Sequence, residues 1–345
     1  MMRVLVTGGS GFIGHRLVTA LHARGLRVRI LDIRPPTALP ADVQYVQGSV
    51  LDPAAVDQAL VDISHVYHLA GLPGMWTANK QDFHDINCCG TETVLAAAQK
   101  HHVSRFLHCS SESILFGYSD MGGCRAEETL QPAEVMPGAY TRSKSLAEQR
   151  AMQAAASGFP VIVGSPTMPI GPSDHNFTPP TAMLRHFLNH RVQLYVDFMV
   201  NLVDVRDVAL GLILAMERGR VGQRYILGGE SIRLCELLRM VAAISGRRQY
   251  PIPVPGKFAE ATATLLELVA DRLTRKPPTG TGEGVRIARH ASDLSIAKSR
   301  TELGYAPQPI EPVLRETVAY LLTLDAKAAP TSLERSDLGS SSRIN

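Results

Sequence analysis

Apolar residues in this chain fall into short runs, separated by stretches in which they recur every third or fourth position. The runs Val4 to Val6, Val28 to Leu31, Val43 to Val46, His65 to Leu69, Arg105 to Cys109 and Val161 to Ser165 have the length of strands. Between them lie helical patterns. The first has Ile13, Leu17, Val18 and Leu21 on one face and is stopped by Gly25. This alternation predicts an α/β fold, a doubly wound parallel sheet of Rossmann type with helices on both faces.

The first strand breaks into glycines at fixed spacing, Thr7-Gly8-Gly9-Ser10-Gly11-Phe12-Ile13-Gly14. Gly8 permits a sharp turn, Gly11 lets backbone amides approach a pyrophosphate, and Gly14 lets the next helix pack closely on the strand. The second strand ends at Asp32, about 20 residues further on, where a carboxylate can take ribose hydroxyls. Such a triplet also occurs in purely structural turns. Strand, turn, helix, strand and acid together point to a dinucleotide site.

After about residue 165 the pattern changes, with Pro166, Pro169, Pro172, Pro179 and Pro180 crowded together. Residues 1–165 read as the nucleotide domain, with 201–225 returning to it. Residues 166–325 read as a smaller irregular substrate lobe, and the Ser-rich stretch 326–345 as a disordered tail. With 345 residues, 45% of them apolar, the chain can bury a full core and a second lobe. A net charge of +3 gives no sign of a nucleic-acid or anionic membrane partner. The five cysteines, Cys88, Cys89, Cys109, Cys124 and Cys235, lack metal-ligand spacing. A reduced, cytoplasmic protein without a metal is expected, with no signal peptide ahead of the first strand. Phe258 to Val269, interrupted by Glu260 and Glu267, is too short and charged to span a bilayer. It fits a lobe helix with a greasy face, which leaves peripheral membrane contact open.

Tyr140 and Lys144 stand four residues apart in a helical pattern, so both leave the same face. An ammonium beside a phenol favours the phenolate and makes the tyrosine a usable acid and base near neutral pH. The bland alternative is a packed tyrosine and a solvated lysine.

At these residues the chain resembles the extended short-chain dehydrogenase/reductases, the NAD-dependent epimerase/dehydratase family. The resemblance spans roughly residues 2–325. Besides the glycine turn, it rests on His68-Leu69-Ala70-Gly71, Asn87 to Thr91, Tyr140-Thr141-Arg142-Ser143-Lys144, Val203 to Ala209 and Glu302-Leu303-Gly304-Tyr305. It implies hydride transfer between a nicotinamide and a secondary alcohol or ketone. Tyr140 would exchange the proton, Ser111, with Ser110 next in line, would hydrogen-bond the same oxygen, and Lys144 would lower the tyrosine pKa and contact the nicotinamide ribose. The cofactor contacts it implies are Gly8, Gly11, Phe12, Ile13, Gly14, Asp32, Arg34, Ser49, Val50, Leu69, Ala70, Gly71, Tyr140, Lys144 and Pro166. Asp32 favours NAD over NADP, because a carboxylate there repels a 2′-phosphate; Arg34 blurs that preference. Ser49 stands where the family usually has Asp. Asn87 is expected to order the cofactor loop.

Across Pro166 to Gly229 the chain is especially similar to hopanoid-associated sugar epimerases and dihydroflavonol-reductase-like proteins. Ser165 replaces the Asn that nucleotide-sugar epimerases carry there, and Ser111-Glu112-Ser113 lacks the second acid of sugar 4,6-dehydratases. Met75, Trp76, Met168, Met183, Phe187, Phe198 and Met199 as a group point to an apolar flavonoid-, steroid- or terpenoid-like substrate, although each alone reads as core. A nucleotide-sugar epimerase is the alternative, and a non-enzymatic NAD(P) sensor the second. Family resemblance also implies a homodimer through the helices containing Asn87 to His101 and Thr141 to Ala156, whose Ala-rich faces, Ala96-Ala97-Ala98 and Ala154-Ala155-Ala156, are expected to be exposed and to fit close helix packing.

Overall fold

The structure, a computed structural model, describes residues 2–116, 126–127 and 132–328. Six strands lie in the first half, with helices between all of them except β2 and β3: β1 (Arg3–Thr7), β2 (Arg27–Asp32), β3 (Gln44–Gln47), β4 (His65–His68), β5 (Arg105–Cys109) and β6 (Val161–Pro166). The helices are α1 (Phe12–Ala23), α2 (Pro53–Leu60), α3 (Gln81–Phe83), α4 (Gly90–Lys100) and α5 (Ala139–Ala156), with a π-helical turn, His84–Cys89, joining α3 to α4. Asp52 starts α2 by accepting a hydrogen bond from Ala54 N at 2.9 Å, with Pro53 in the first turn, where its missing N–H costs nothing.

The second half supplies β7 (Met168–Ile170), α6 (Pro179–Asn189), β8 (Val192–Tyr195), β9 (Met199–Asp204), α7 (Val205–Arg218), β10 (Arg224–Leu227), β11 (Glu230–Arg233) and α8 (Leu234–Ser245). It ends with β12 (Tyr250–Pro253), α9 (Gly256–Val269), α10 (Gly282–His290) and α11 (Ile310–Ala328). The main sheet has the order β10-β6-β5-β4-β1-β2-β3, and all its pairs are parallel. From β1 the chain moves outward to β3 and then resumes on the other side at β4. The order therefore reverses between β1 and β4, and the crevice at their carboxyl ends is where such sheets take ligands.

Strand alternation divides the core. Val4 and Val6 face α1 and α7, whereas Leu5 faces α2, α4 and α5. All three are fully buried, each contributing roughly 1.5–3 kcal/mol. A separate core joins α6, α8 and α11 to the three-stranded sheet β11-β9-β7. Of residues 201–225, β9 lies in that small sheet, while α7 packs on the main sheet and leads to β10 at its edge. Buried Arg224 on β10 forms an ion pair with Glu148 of α5.

The alanine faces differ from expectation. Ala98 is fully buried, and Ala97, Ala154 and Ala155 pack against the sheet, which leaves Ala96 and Ala156 exposed. Small residues let α4 and α5 sit close to the strands, so here they serve the protein's own core. Helix α11 continues to Ala328, and the rest of the expected tail lies outside the described residues, as does Cys124. No helix among the described residues is long and apolar enough to cross a membrane.

Candidate functional site

The glycine turn sits at the carboxyl end of β1, beside the point where strand order reverses. Gly8 has φ +71°, and a Cβ there would lie 2.7 Å from Ala70 N, so both conformation and space demand glycine. A Cβ on Gly14 would run into the Gly8 carbonyl. Gly11 N–H donates to Gly8 O at 3.1 Å and Gly11 precedes α1, whose N-terminus no side chain caps. The bare backbone amides of that first turn suit an anion such as a pyrophosphate. Phe12 is buried and Ile13 half-buried along the same turn.

Asp32, at the end of β2, accepts from Ser10 N at 3.0 Å and Arg34 N at 3.1 Å, so its carboxylate is tied to the glycine turn. The Arg34 side chain donates to Asn176 Oδ1 at 2.9 Å. Ser49 Oγ accepts from Leu51 N at 3.1 Å, ordering the loop ahead of α2, and Val50 is buried next to Gly90. The loop after β4 is fixed to β1: Leu69 N donates to Thr7 O and Ala70 N to Thr7 Oγ1, both at 3.1 Å. Asn87 then holds Leu72 through both its amide atoms, at 2.7 and 3.3 Å, and donates to Ser143 Oγ of α5 at 2.9 Å. This is the loop-ordering role expected of it. The uncapped N-terminus of α1, the glycine turn and Asp32 follow one another at the carboxyl ends of β1 and β2. Pro166 closes β6, on the far side of β5.

Across β4 stands the second group. Ser111 follows β5, two strand spacings or about 10 Å from β1. Its hydroxyl lies 2.9 Å from that of Ser113, and both serines act on the Tyr140 phenol, pulling its pKa down against the larger effect of burial. Tyr140 opens α5 and meets the Phe83 ring edge-on at 5.8 Å. One turn later, Lys144 Nζ donates to Cys109 O at 2.8 Å. The direction of the tyrosine shift is opposite to the sequence expectation. Burial disfavours the phenolate and pushes the Tyr140 pKa up to about 12, while the Lys144 pKa is itself lowered by burial. The lysine is directed at a carbonyl, and burial wins.

Two partners were not legible in the sequence. Ser113 joins Ser111 because the short 3₁₀ turn Glu112–Leu115 brings both hydroxyls to one side. Glu283, from α10, accepts from Thr141 N and Thr141 Oγ1 at 2.8 Å and from Tyr140 N at 3.3 Å. It therefore caps the helix that carries Tyr140, and the carboxylate fills the space where Gly138 has no side chain. No spacing rule connects residues some 140 positions apart, although the small residue at 138 is a trace of the close approach.

Met199 is half-buried at the start of β9, and the other six apolar residues separate into two groups. Phe187 is buried in the lobe core, and Met168, Met183 and Phe198 pack against it. Met75 and Trp76 instead lie in the loop beyond Gly71, where Trp76 Nε1 donates to Asp271 Oδ1 at 2.7 Å and Met75 sits against Gly284. Arg185 is engaged by Asp325 at 3.1 Å. His68 is a core histidine held between the Thr7 and Thr91 hydroxyls at 2.8 and 3.0 Å.

Residues 4–228 match the model of the NAD dependent epimerase/dehydratase family. A Synechocystis sp. protein provisionally named dihydroflavonol 4-reductase is 34% identical over 323 residues, covering 91% of this chain and 93% of that protein. Sterol demethylase protein B of Methylococcus capsulatus is 27% identical over 324 residues, covering 92% and 98%. Among solved structures, the crystal structure of gox2253 superimposes with a TM-score of 0.79 at 31% identity, over 94% of this chain and 99% of that one. The glycine turn, the parallel sheet and these matches agree, and the chain belongs to the NAD-dependent epimerase/dehydratase family of oxidoreductases, dehydratases and epimerases.

Proposed function

We propose that this protein uses NAD to interconvert a secondary alcohol and its ketone on a mainly apolar substrate. The observation that carries the reading is the gathering of Tyr140 and Lys144, one turn apart on α5, with the paired hydroxyls of Ser111 and Ser113 at the end of β5, which act on the phenol. When bound, the nicotinamide supplies or takes the hydride. The protein's own residues handle the oxygen. Tyr140, protonated at neutral pH and kept so by burial to higher pH than an ordinary tyrosine, donates its proton to the oxygen of a ketone, and takes it back when an alcohol is oxidised. Ser111 orients that oxygen by hydrogen bonding, and Ser113 orients Ser111. Lys144 places a positive charge near the carboxyl end of β5, where it would meet the nicotinamide ribose. Gly8, Gly11 and Gly14 make room for the pyrophosphate, and Asp32 takes the adenosine ribose hydroxyls, which supports NAD over NADP.

Support for an apolar substrate comes from the Met75-Trp76 loop beside α10 and from relatives named for flavonoid and sterol chemistry. Ser165, buried and without a hydrogen-bond partner among the described residues, lacks the amide that would hold a sugar nucleotide and weighs against the epimerase. The free thiols of Cys88, Cys89, Cys109 and Cys235 support a reducing, cytoplasmic setting. Absorbance of NADH is to be followed with a panel of apolar ketones, alongside UDP- and GDP-sugars scored for epimer formation. Net NADH consumption with a ketone is the expected result. Interconversion of a nucleotide sugar without net NADH change would establish the epimerase instead.

A further inference from the structure

Helix α9 is turned inside out. Its acidic residues face the protein: Glu260 pairs with Arg289 and Arg286, and Glu267 lies 2.6 Å from Lys80 and accepts from Gly282 N at 3.0 Å. Asp271, in the following turn, takes the Trp76 indole N–H. The opposite face is apolar and open, with Phe258 65% and Leu265 61% exposed and Leu266 and Val269 alongside, and Leu273, 77% exposed, follows in the π-helical turn Ala270–Thr274. Helices on a soluble surface present the reverse arrangement. Burying the acids while leaving these side chains in water costs free energy unless something apolar covers the face.

The preceding strand extends the pattern. In the β12–β8 pair, Tyr250 is opposite Val192 and Ile252 opposite Leu194, so alternate positions share one face, and all four are exposed. From Ile252 the chain passes directly through three residues to α9. The charges bordering these elements have one sign. Arg191, Arg248, Lys257, Arg272, Arg275 and Lys276 are exposed, whereas every acid of residues 247–276 is paired inward. The chain's small net charge conceals this local segregation.

We propose that this face is a membrane-docking surface, on which α9 lies in the interface of an anionic bilayer with Phe258, Leu265 and Leu273 inserted among the acyl chains. An apolar helix face ringed by cations is the arrangement that binds such an interface, with the cations held by lipid phosphates. A second copy of the chain would bring the same cations against one another. The polar stretch 329–345, rich in serine, offers only Leu333, Leu338 and Ile344, too few large apolar residues to cover the face.

The test is co-sedimentation of the full-length protein with vesicles of phosphatidylcholine alone and of phosphatidylcholine and phosphatidylglycerol in equal parts. The protein is expected to sediment with the anionic vesicles and to be released by salt. A variant carrying Phe258→Ser, Leu265→Ser and Leu273→Ser should bind them at least about tenfold more weakly, since each side chain would otherwise enter hydrocarbon. NADH binding by that variant should match wild type, showing that it is folded. Wild-type protein left in the supernatant with both vesicle types overturns the proposal. So does a variant that binds vesicles as wild type does, or one whose sedimentation size drops by half, which assigns the face to a second copy.

Discussion

Glu283 Oε1 receives both the backbone N–H and the hydroxyl of Thr141 at 2.8 Å, so a carboxylate from the second half of the chain caps the helix bearing Tyr140. Removing it in Glu283→Ala leaves buried donors without a partner. We expect a loss of about 1–3 kcal/mol in stability, read by denaturant unfolding.

The same residue makes stability depend on pH. Burial holds the Glu283 pKa in the folded protein above its ordinary 4.5, against the pull of its hydrogen bonds. Proton binding is therefore tighter in the folded state. The resulting stabilisation is complete below 4.5 and is lost as pH rises through the folded value. Glu283→Gln cannot titrate. Melting curves of the two proteins should diverge over that window, with the glutamine variant gaining relative to wild type as pH rises; parallel curves would contradict the assignment.

Tyr140 should stay protonated in the free protein. Between pH 7 and the ordinary tyrosine value of 10, wild type and Tyr140→Phe are expected to show the same phenolate absorbance, because the wild-type group ionises near about 12. An excess of phenolate in wild type near neutrality would mean that Lys144, and not burial, controls the group.

Asp32 is expected to set the choice of cofactor. Asp32→Ala should weaken NADH binding by about tenfold or more and narrow its advantage over NADPH, as a repelling carboxylate and the anchor of Ser10 N are both lost. Fluorescence titration with each nucleotide measures this. A wider preference for NADH would exclude the role.

Gly8→Ala should cost about 1–3 kcal/mol, since an L side chain would be strained at φ +71° and would press on Ala70 N. Thermal unfolding of the variant reports it directly.

Much of this architecture was legible because it is local. Runs of strand length gave six of the seven strands of the main sheet, with β3 displaced by one residue, and the glycine spacing located the turn after β1. What was not legible depends on direction and distance. Periodicity shows that Phe258 and Leu265 share a face of α9, not that the face turns to solvent. The spacing of Tyr140 and Lys144 puts both on one side of α5, not where the ammonium points; it donates to Cys109 O. Alanine runs show where helices can approach something closely, and Ala98 approaches the protein's own sheet. The cap by Glu283 is a long-range contact that only the fold reveals.

The central claim is that Tyr140 passes the proton. Once a ketone that consumes NADH is in hand, turnover by Tyr140→Phe should be compared with wild type at matched NADH saturation, with NADH affinity measured separately. A fall of about 10²–10⁴-fold in kcat with nearly unchanged NADH binding is the predicted result, because the substitution removes only the phenolic oxygen and its proton. Wild-type turnover in that variant would contradict the account.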